Sequence, residues 1–144
     1  MPEVGRRAMS FRTDPRLLAN SVAVASLGLC DLRLMDDVRF PWLVLIPRVE
    51  GASELDDLDA AQRTVLMAEM TAAGAMVRRL GEAVGRPVDK INTAALGNVT
   101  AQLHVHVVGR RRDDPLWPDP IWGRGGGQPW PEGELDRLAG LIGV

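Results

Sequence analysis

One long amphipathic stretch, Leu58 to about Val84, divides this chain and limits the folds open to it. Apolar residues recur at Leu66, Met70, Ala73, Val77, Leu80 and Val84. The spacings alternate four and three, which lays one stripe along a helix. Asp57 or Asp59 is placed to cap its start, and Gly85 with Pro87 to stop it. Strand-like segments lie on both sides of it. The pattern predicts an α+β fold, with an antiparallel sheet, one long helix and short helices near the termini.

The strand segments have distinct characters. Ser21 to Leu27 places Val22 and Val24 on one face, and Gly28 breaks it. Leu29 to Met35 alternates, with Leu32 and Leu34 on one side and Asp31 and Arg33 on the other. Trp42 to Ile46 is continuously apolar and short, which favours a central strand ended by Pro47. The last two read as an antiparallel hairpin. After the helix come Lys90 to Ala95, a turn at Leu96-Gly97-Asn98, and Ala101 to Gly109, whose strict alternation makes it the clearest strand. These segments make a sheet of about five strands.

The ends are less regular. A short helix is expected from Thr13, capped by Thr13 or Asp14, with Pro15 in its first turn and Leu17 and Leu18 on its apolar side. Residues 1–10 carry no pattern and are expected to fray. Beyond Arg110, Pro115, Pro118, Pro120, Pro129 and Pro131 exclude regular structure over most of the stretch. Gly125 to Gly127 is a flexible turn, and Glu134 to Ile142 suits a short helix. The chain reads as a single domain over residues 1–144, with a core at about 13–123 and a tail at 124–144.

Length and charge narrow the function classes. A chain of 144 residues can bury a core without staples. A net charge of −2 argues against broad binding to nucleic acid or to an anionic membrane. The single cysteine, Cys30, allows no internal disulfide and suits a small core position. No apolar stretch has the length of a signal peptide or a membrane span, so the expected location is the cytoplasm. Met67, Met70 and Met76 read as core or dimer surface, and Trp117, Trp122 and Trp130 as packing for the tail, with Trp117 or Trp122 also placed to form a pocket rim. In the run Arg110 to Arg112, solvated charge is the ordinary expectation, and an arginine turned inward is the alternative.

The last strand carries the chemistry. Side chains alternate across a strand, so Gln102, His104 and His106 share one face and Leu103, Val105 and Val107 the other. These are the only two histidines in the chain. A bare His-x-His fits three readings: a solvated strand face, a metal chelate, or phosphate chemistry. A metal would need Cys30 or carboxylates to complete its ligands. In the third reading one imidazole attacks phosphorus and the other donates to its oxygens.

The wider sequence resembles the histidine-triad family. Gln102-Leu103-His104-Val105-His106-Val107-Val108, followed by Gly109-Arg110, is similar to its His-φ-His-φ-His-φ-φ pattern, with φ apolar. Asn92 and Gly97-Asn98 resemble its phosphate-contacting approach to that strand. Leu34-Met35-Asp36-Asp37 and Pro41 to Arg48 resemble its nucleoside-side hairpin. The likeness runs over roughly residues 22–123 and is strongest to the bacterial branch described as diadenosine-tetraphosphate-hydrolase-like. It implies the family's fold and a hydrolase or transferase acting on a nucleoside phosphate or dinucleoside polyphosphate. His104 would be the nucleophile on the α-phosphate, forming a nucleotidyl-histidine. His106 would hydrogen-bond the phosphate and assist the leaving group, with Gln102 in the first triad position. Asn92 and Asn98 would contact ribose or phosphate, and Asp36 or Asp37 the ribose hydroxyls. No metal or other cofactor is implied, and a homodimer is. Two positions depart from the pattern. Gln102 cannot carry a proton as His would, and Val99 lacks the hydroxyl common in relatives.

Overall fold

A computed structural model describes residues 11–143. The expectation for residues 1–10 falls outside the described residues. Along the chain come helix α1 (Pro15–Ala19) and strands β1 (Ser21–Ser26), β2 (Cys30–Met35) and β3 (Trp42–Pro47). A 3-10 turn (Leu55–Asp57) leads into helix α2 (Ala60–Ala83), followed by β4 (Lys90–Ala94), β5 (Val105–Arg110) and α3 (Glu134–Ile142). The five strands form one antiparallel sheet in the order β1-β2-β3-β5-β4. The α+β class, with one long helix and short helices near both ends, holds. No helix among the described residues is long and apolar enough to cross a membrane.

The long helix begins at a reciprocal cap. The Asp59 carboxylate accepts from the Gln62 N–H, and the Gln62 side chain accepts from the Asp59 N–H. Asp57, the other candidate, serves the preceding turn and accepts from the N–H groups of Ser53 and Glu54. Leu66, Ala73, Val77 and Leu80 are buried on the sheet, with Met70 and Val84 half-buried beside them. Met76 is inside, whereas Met67 is exposed. Gly85 takes φ +73° just past the helix, a left-handed turn that glycine adopts at little cost.

The two faces of the sheet differ, and that difference positions the site. One face carries Cys30, Leu32, Leu34, Leu43, Leu45, Val105 and Val107 and packs on α2 and α3. The other carries Val44 and Ile46 beneath Leu17 of α1, and Val108 beneath Phe40 and Ile121. Both faces of β3 are thus covered, which is why its sequence is apolar without alternation. Leu17 alone supplies the α1 contact. Leu18, expected beside it, is exposed, because neighbours on a helix point about 100° apart.

The strand predicted from Ala101 to Gly109 is shorter and begins at Val105. Its partners run out at that point. The β4 pairing ends with Ala94 opposite His106, and the β3 pairing with Leu45 opposite Val105. Two residues further along β3 lies Pro47, which has no N–H to extend the ladder. The Leu103 N–H donates to the Ala52 carbonyl instead, at 3.0 Å.

Beyond β5 the chain is irregular up to α3, as its prolines imply. The arginine run divides. Arg110 is fully buried, with Nε and Nη2 on Asp114 at 2.8 and 3.1 Å. Phe40 and Trp117 lie against its guanidinium. Arg111 pairs with Asp113 near the surface.

Candidate active site

Two histidines stand together on the face of the sheet that α2 leaves open. His106 lies in β5 between Val44 of β3 and Ala94 of β4. His104 precedes the strand by one residue. Their rings are 4.9 Å apart, edge to face, and the two residues are only 4% and 7% exposed. They are not side chains on a solvated strand face.

Their hydrogen bonds differ. His104 Nδ1 lies 2.6 Å from the Gln102 carbonyl oxygen. A carbonyl only accepts, so Nδ1 carries the hydrogen and the neutral ring keeps a lone pair on Nε2. His106 Nδ1 lies 3.0 Å from Trp42 Nε1. Trp42 and Trp122 flank the His106 ring, with centroids at 5.5 and 5.7 Å. Burial, and then the charge of nearby His104, push the pKa of His106 down to about 4. His106 is therefore neutral near pH 7.

Both histidines border a cleft of about 680 Å³. Arg16 and Leu17 of α1 line it, as do Leu96, Asn98, Val99 and Thr100 of the β4–β5 loop. Arg16 Nη1 donates to the Val99 carbonyl at 3.0 Å and ties α1 to that loop. A second lobe of about 430 Å³ shares Asn20, Met35, Trp42, Trp122 and Gly123 with the first and is lined by Asp36 and Asp37.

The residues singled out in the sequence meet this cleft unequally. His104, His106 and Asn98 line the first lobe, and Asp36 and Asp37 the second. Asp37 is buried, with both oxygens held by the Arg39 side chain at 3.0 and 2.9 Å. Asp36 accepts from the Trp130 N–H through Oδ1. Gln102 and Asn92 line neither lobe. The Gln102 amide accepts from the Asp14 N–H and donates to the Arg12 carbonyl, both at 2.8 Å, so it anchors the segment entering α1. Asn92 accepts from Arg110 Nη1 at 2.9 Å.

Sequence reasoning missed Trp42 and Arg16 as site residues. Trp42 sits in an apolar run that reads as core. Only the register, which sets it opposite Val108, makes it a diagonal neighbour of His106. No sequence signal joins Arg16 to Val99. Cys30, once a candidate to complete a metal site, lies on the opposite face against α2, where burial and Glu69 raise its thiol pKa. Among the described residues, no group of three or more His, Cys, Asp or Glu side chains is arranged to hold a metal.

Comparisons with known proteins bear on the family and the fold. The family model described as the HIT domain matches residues 17–113, more than half of the chain. A histidine triad protein from Sinorhizobium meliloti 1021 is 41% identical, with 94% of this chain and 96% of that one covered and a TM-score of 0.84. A histidine triad protein from Bradyrhizobium japonicum is 33% identical, with coverages of 92% and 95% and a TM-score of 0.81. A third, from Marinobacter aquaeolei VT8, is 36% identical, with 90% of each chain covered and a TM-score of 0.79. None of the curated proteins matches the chain.

Proposed function

The chain belongs to the histidine-triad (HIT) family, and on that premise we propose that it binds a nucleoside phosphate in this cleft and breaks a bond at the α-phosphorus through His104. Proteins of this family generally bind nucleotides and act on them as hydrolases or transferases. The observation that carries the proposal is the bond from His104 Nδ1 to the Gln102 carbonyl, which leaves Nε2 as the nucleophile.

In the proposed reaction the Nε2 lone pair attacks phosphorus, and the bond from phosphorus to the leaving group breaks with its electron pair. The nucleotidyl-imidazole that results is positively charged, and the Gln102 carbonyl stabilises its Nδ1–H. Water then attacks phosphorus, a proton passes to the medium, the nucleoside monophosphate departs, and His104 is restored. His106, 4.9 Å away, donates a hydrogen bond to the phosphate or to the departing atom. Gln102 contributes through its backbone carbonyl and by anchoring α1. Asn98, on the loop beside His104, is proposed as a ribose or phosphate contact. Of the two candidate ribose acceptors, Asp36 is the better placed, because Arg39 holds both oxygens of Asp37. Asn92 is held by Arg110 outside both lobes. Candidate substrates are dinucleoside polyphosphates, as in the branch the sequence most resembles, and nucleoside phosphoramidates.

The test is a panel of these compounds, followed for release of AMP or GMP. Wild-type protein is expected to release nucleotide, and His104→Ala to release none. Turnover persisting in His104→Ala would sink the assignment. One observation favours a second reading, a nucleotide-binding protein with little turnover. Val99 offers no hydroxyl at the cleft, and the Gln102 amide is turned away from it. Tight nucleotide binding with no product over hours and no trapped nucleotidyl-histidine would establish that reading instead.

A further inference from the structure

His106 has one ring nitrogen that faces protein. That nitrogen, Nδ1, lies 3.0 Å from Trp42 Nε1. An indole nitrogen donates and never accepts. Nδ1 must therefore accept, and the hydrogen of a neutral imidazole must sit on Nε2. His104 is bound in the opposite sense, with its Nδ1 against a carbonyl. The two neighbouring rings are fixed in complementary tautomers, one with a bare Nε2 and one with an Nε2–H.

We propose that Trp42 is a positioning residue that locks His106 as a neutral Nε2–H donor for the phosphate held by His104. The proposal rests on the functional reading above and extends it to the leaving group. A neutral imidazole that gave up its Nε2 hydrogen would become an imidazolate, a strongly basic anion that burial at this place disfavours. His106 therefore hydrogen-bonds without transferring its proton. Such a donor suits a leaving group that departs as an anion, such as the polyphosphate of an anhydride. There the P–O bond breaks, oxygen keeps the electron pair, and no proton is needed. It suits a phosphoramidate poorly, because the nitrogen must take a proton from water as the P–N bond breaks. The Trp42 N–H already on Nδ1 and deep burial keep His106 neutral, so it cannot supply that proton as an imidazolium.

The lock is read first in wild-type protein labelled with ¹⁵N in histidine and tryptophan. The expected spectrum has His106 in the Nε2–H form at pH 7, with a scalar coupling across the bond from the Trp42 N–H to His106 Nδ1. An Nδ1–H tautomer or an imidazolium at that pH would overturn the proposal without any variant being made. Trp42→Phe keeps a ring and removes the donor. It is expected to give mixed His106 tautomers and to lower kcat about tenfold, with KM within about threefold, as losing one hydrogen bond implies. A merely structural role would leave the tautomer unchanged. Wild-type kcat/KM is expected to be at least tenfold higher for a dinucleoside polyphosphate than for a nucleoside phosphoramidate of the same base, and the reverse order would overturn the leaving-group inference. A locked tautomer in a protein with no His104-dependent turnover overturns the functional reading instead.

Discussion

Burial changes what a histidine can do, and at His106 the change reaches the stability of the protein. The folded pKa is about 4, against 6.5 for a free imidazole. Between these values the unfolded chain binds the proton and the folded chain does not. Stability therefore falls as pH drops from about 6.5 towards 4, and at pH 4.5 the loss from this group is roughly 2 to 3 kcal/mol. Urea unfolding at pH 7.0 and 4.5 checks this, with His106→Gln expected to lose less stability than wild type over that interval. Equal losses in the two proteins would contradict the depressed pKa. Gly109 is a second site where one atom matters. A Cβ there would lie 2.7 Å from Pro41 Cγ and from Val88 Cγ2, and 2.8 Å from Val77 Cγ1. Gly109→Ala is expected to cost about 1 to 3 kcal/mol through overpacking beneath α2, read as a lowered urea midpoint. The histidine pair is visible in the sequence because alternation along one strand puts both rings on one side. The Trp42 contact is not, because it depends on a register between residues 64 apart in the chain.

Strands and helices were easier to read than the joints between them. Periodicity located β2, and together with capping and stop residues α2, to within a residue or two, because each buries one face against a single layer. It extended β5 too far, because residues 101–104 still alternate after leaving the ladder. Leu103 remains buried there through contacts that strand pairing does not explain. The C-terminal segment shows the other limit. Its prolines announce irregular backbone, but its attachment rests on Arg110, whose inward turn the charge run conceals. With Asp114 this arginine forms an ion pair whose side chains are 1% and 5% exposed. Removing only the acid leaves a buried cation, so Asp114→Ala is expected to cost about 3 to 5 kcal/mol, whereas replacing both partners by apolar residues should cost much less. Denaturant unfolding of the single and double variants decides between that and a pair that contributes little.

The sheet ends in an unequal way, and this bears on assembly. At one end β1 is packed by α3, through the cluster that joins Val22 and Val24 to Leu138 and Ile142. At the other end, among the described residues, no strand pairs with the outer edge of β4. Next to that edge lies an apolar groove of about 300 Å³, bordered by Leu55, Met67, Met70 and Ala95. Leu55 is 46% exposed and Met67 61%. An open edge beside exposed apolar side chains is a place for another strand to add. A second copy of this chain is the occupant that would close the arrangement. An antiparallel strand paired with its own copy is two-fold symmetric, so both edges are satisfied at once and growth stops at two. We therefore expect a homodimer joined at β4, with a mass in solution twice the 15.7 kDa of one chain. Met67→Asp places a charge in the groove without touching the cleft, and it is expected to shift the protein to monomer at micromolar concentration by light scattering. A wild-type monomer under the same conditions would refute the assembly. A Met67→Asp dimer would place the interface on another surface.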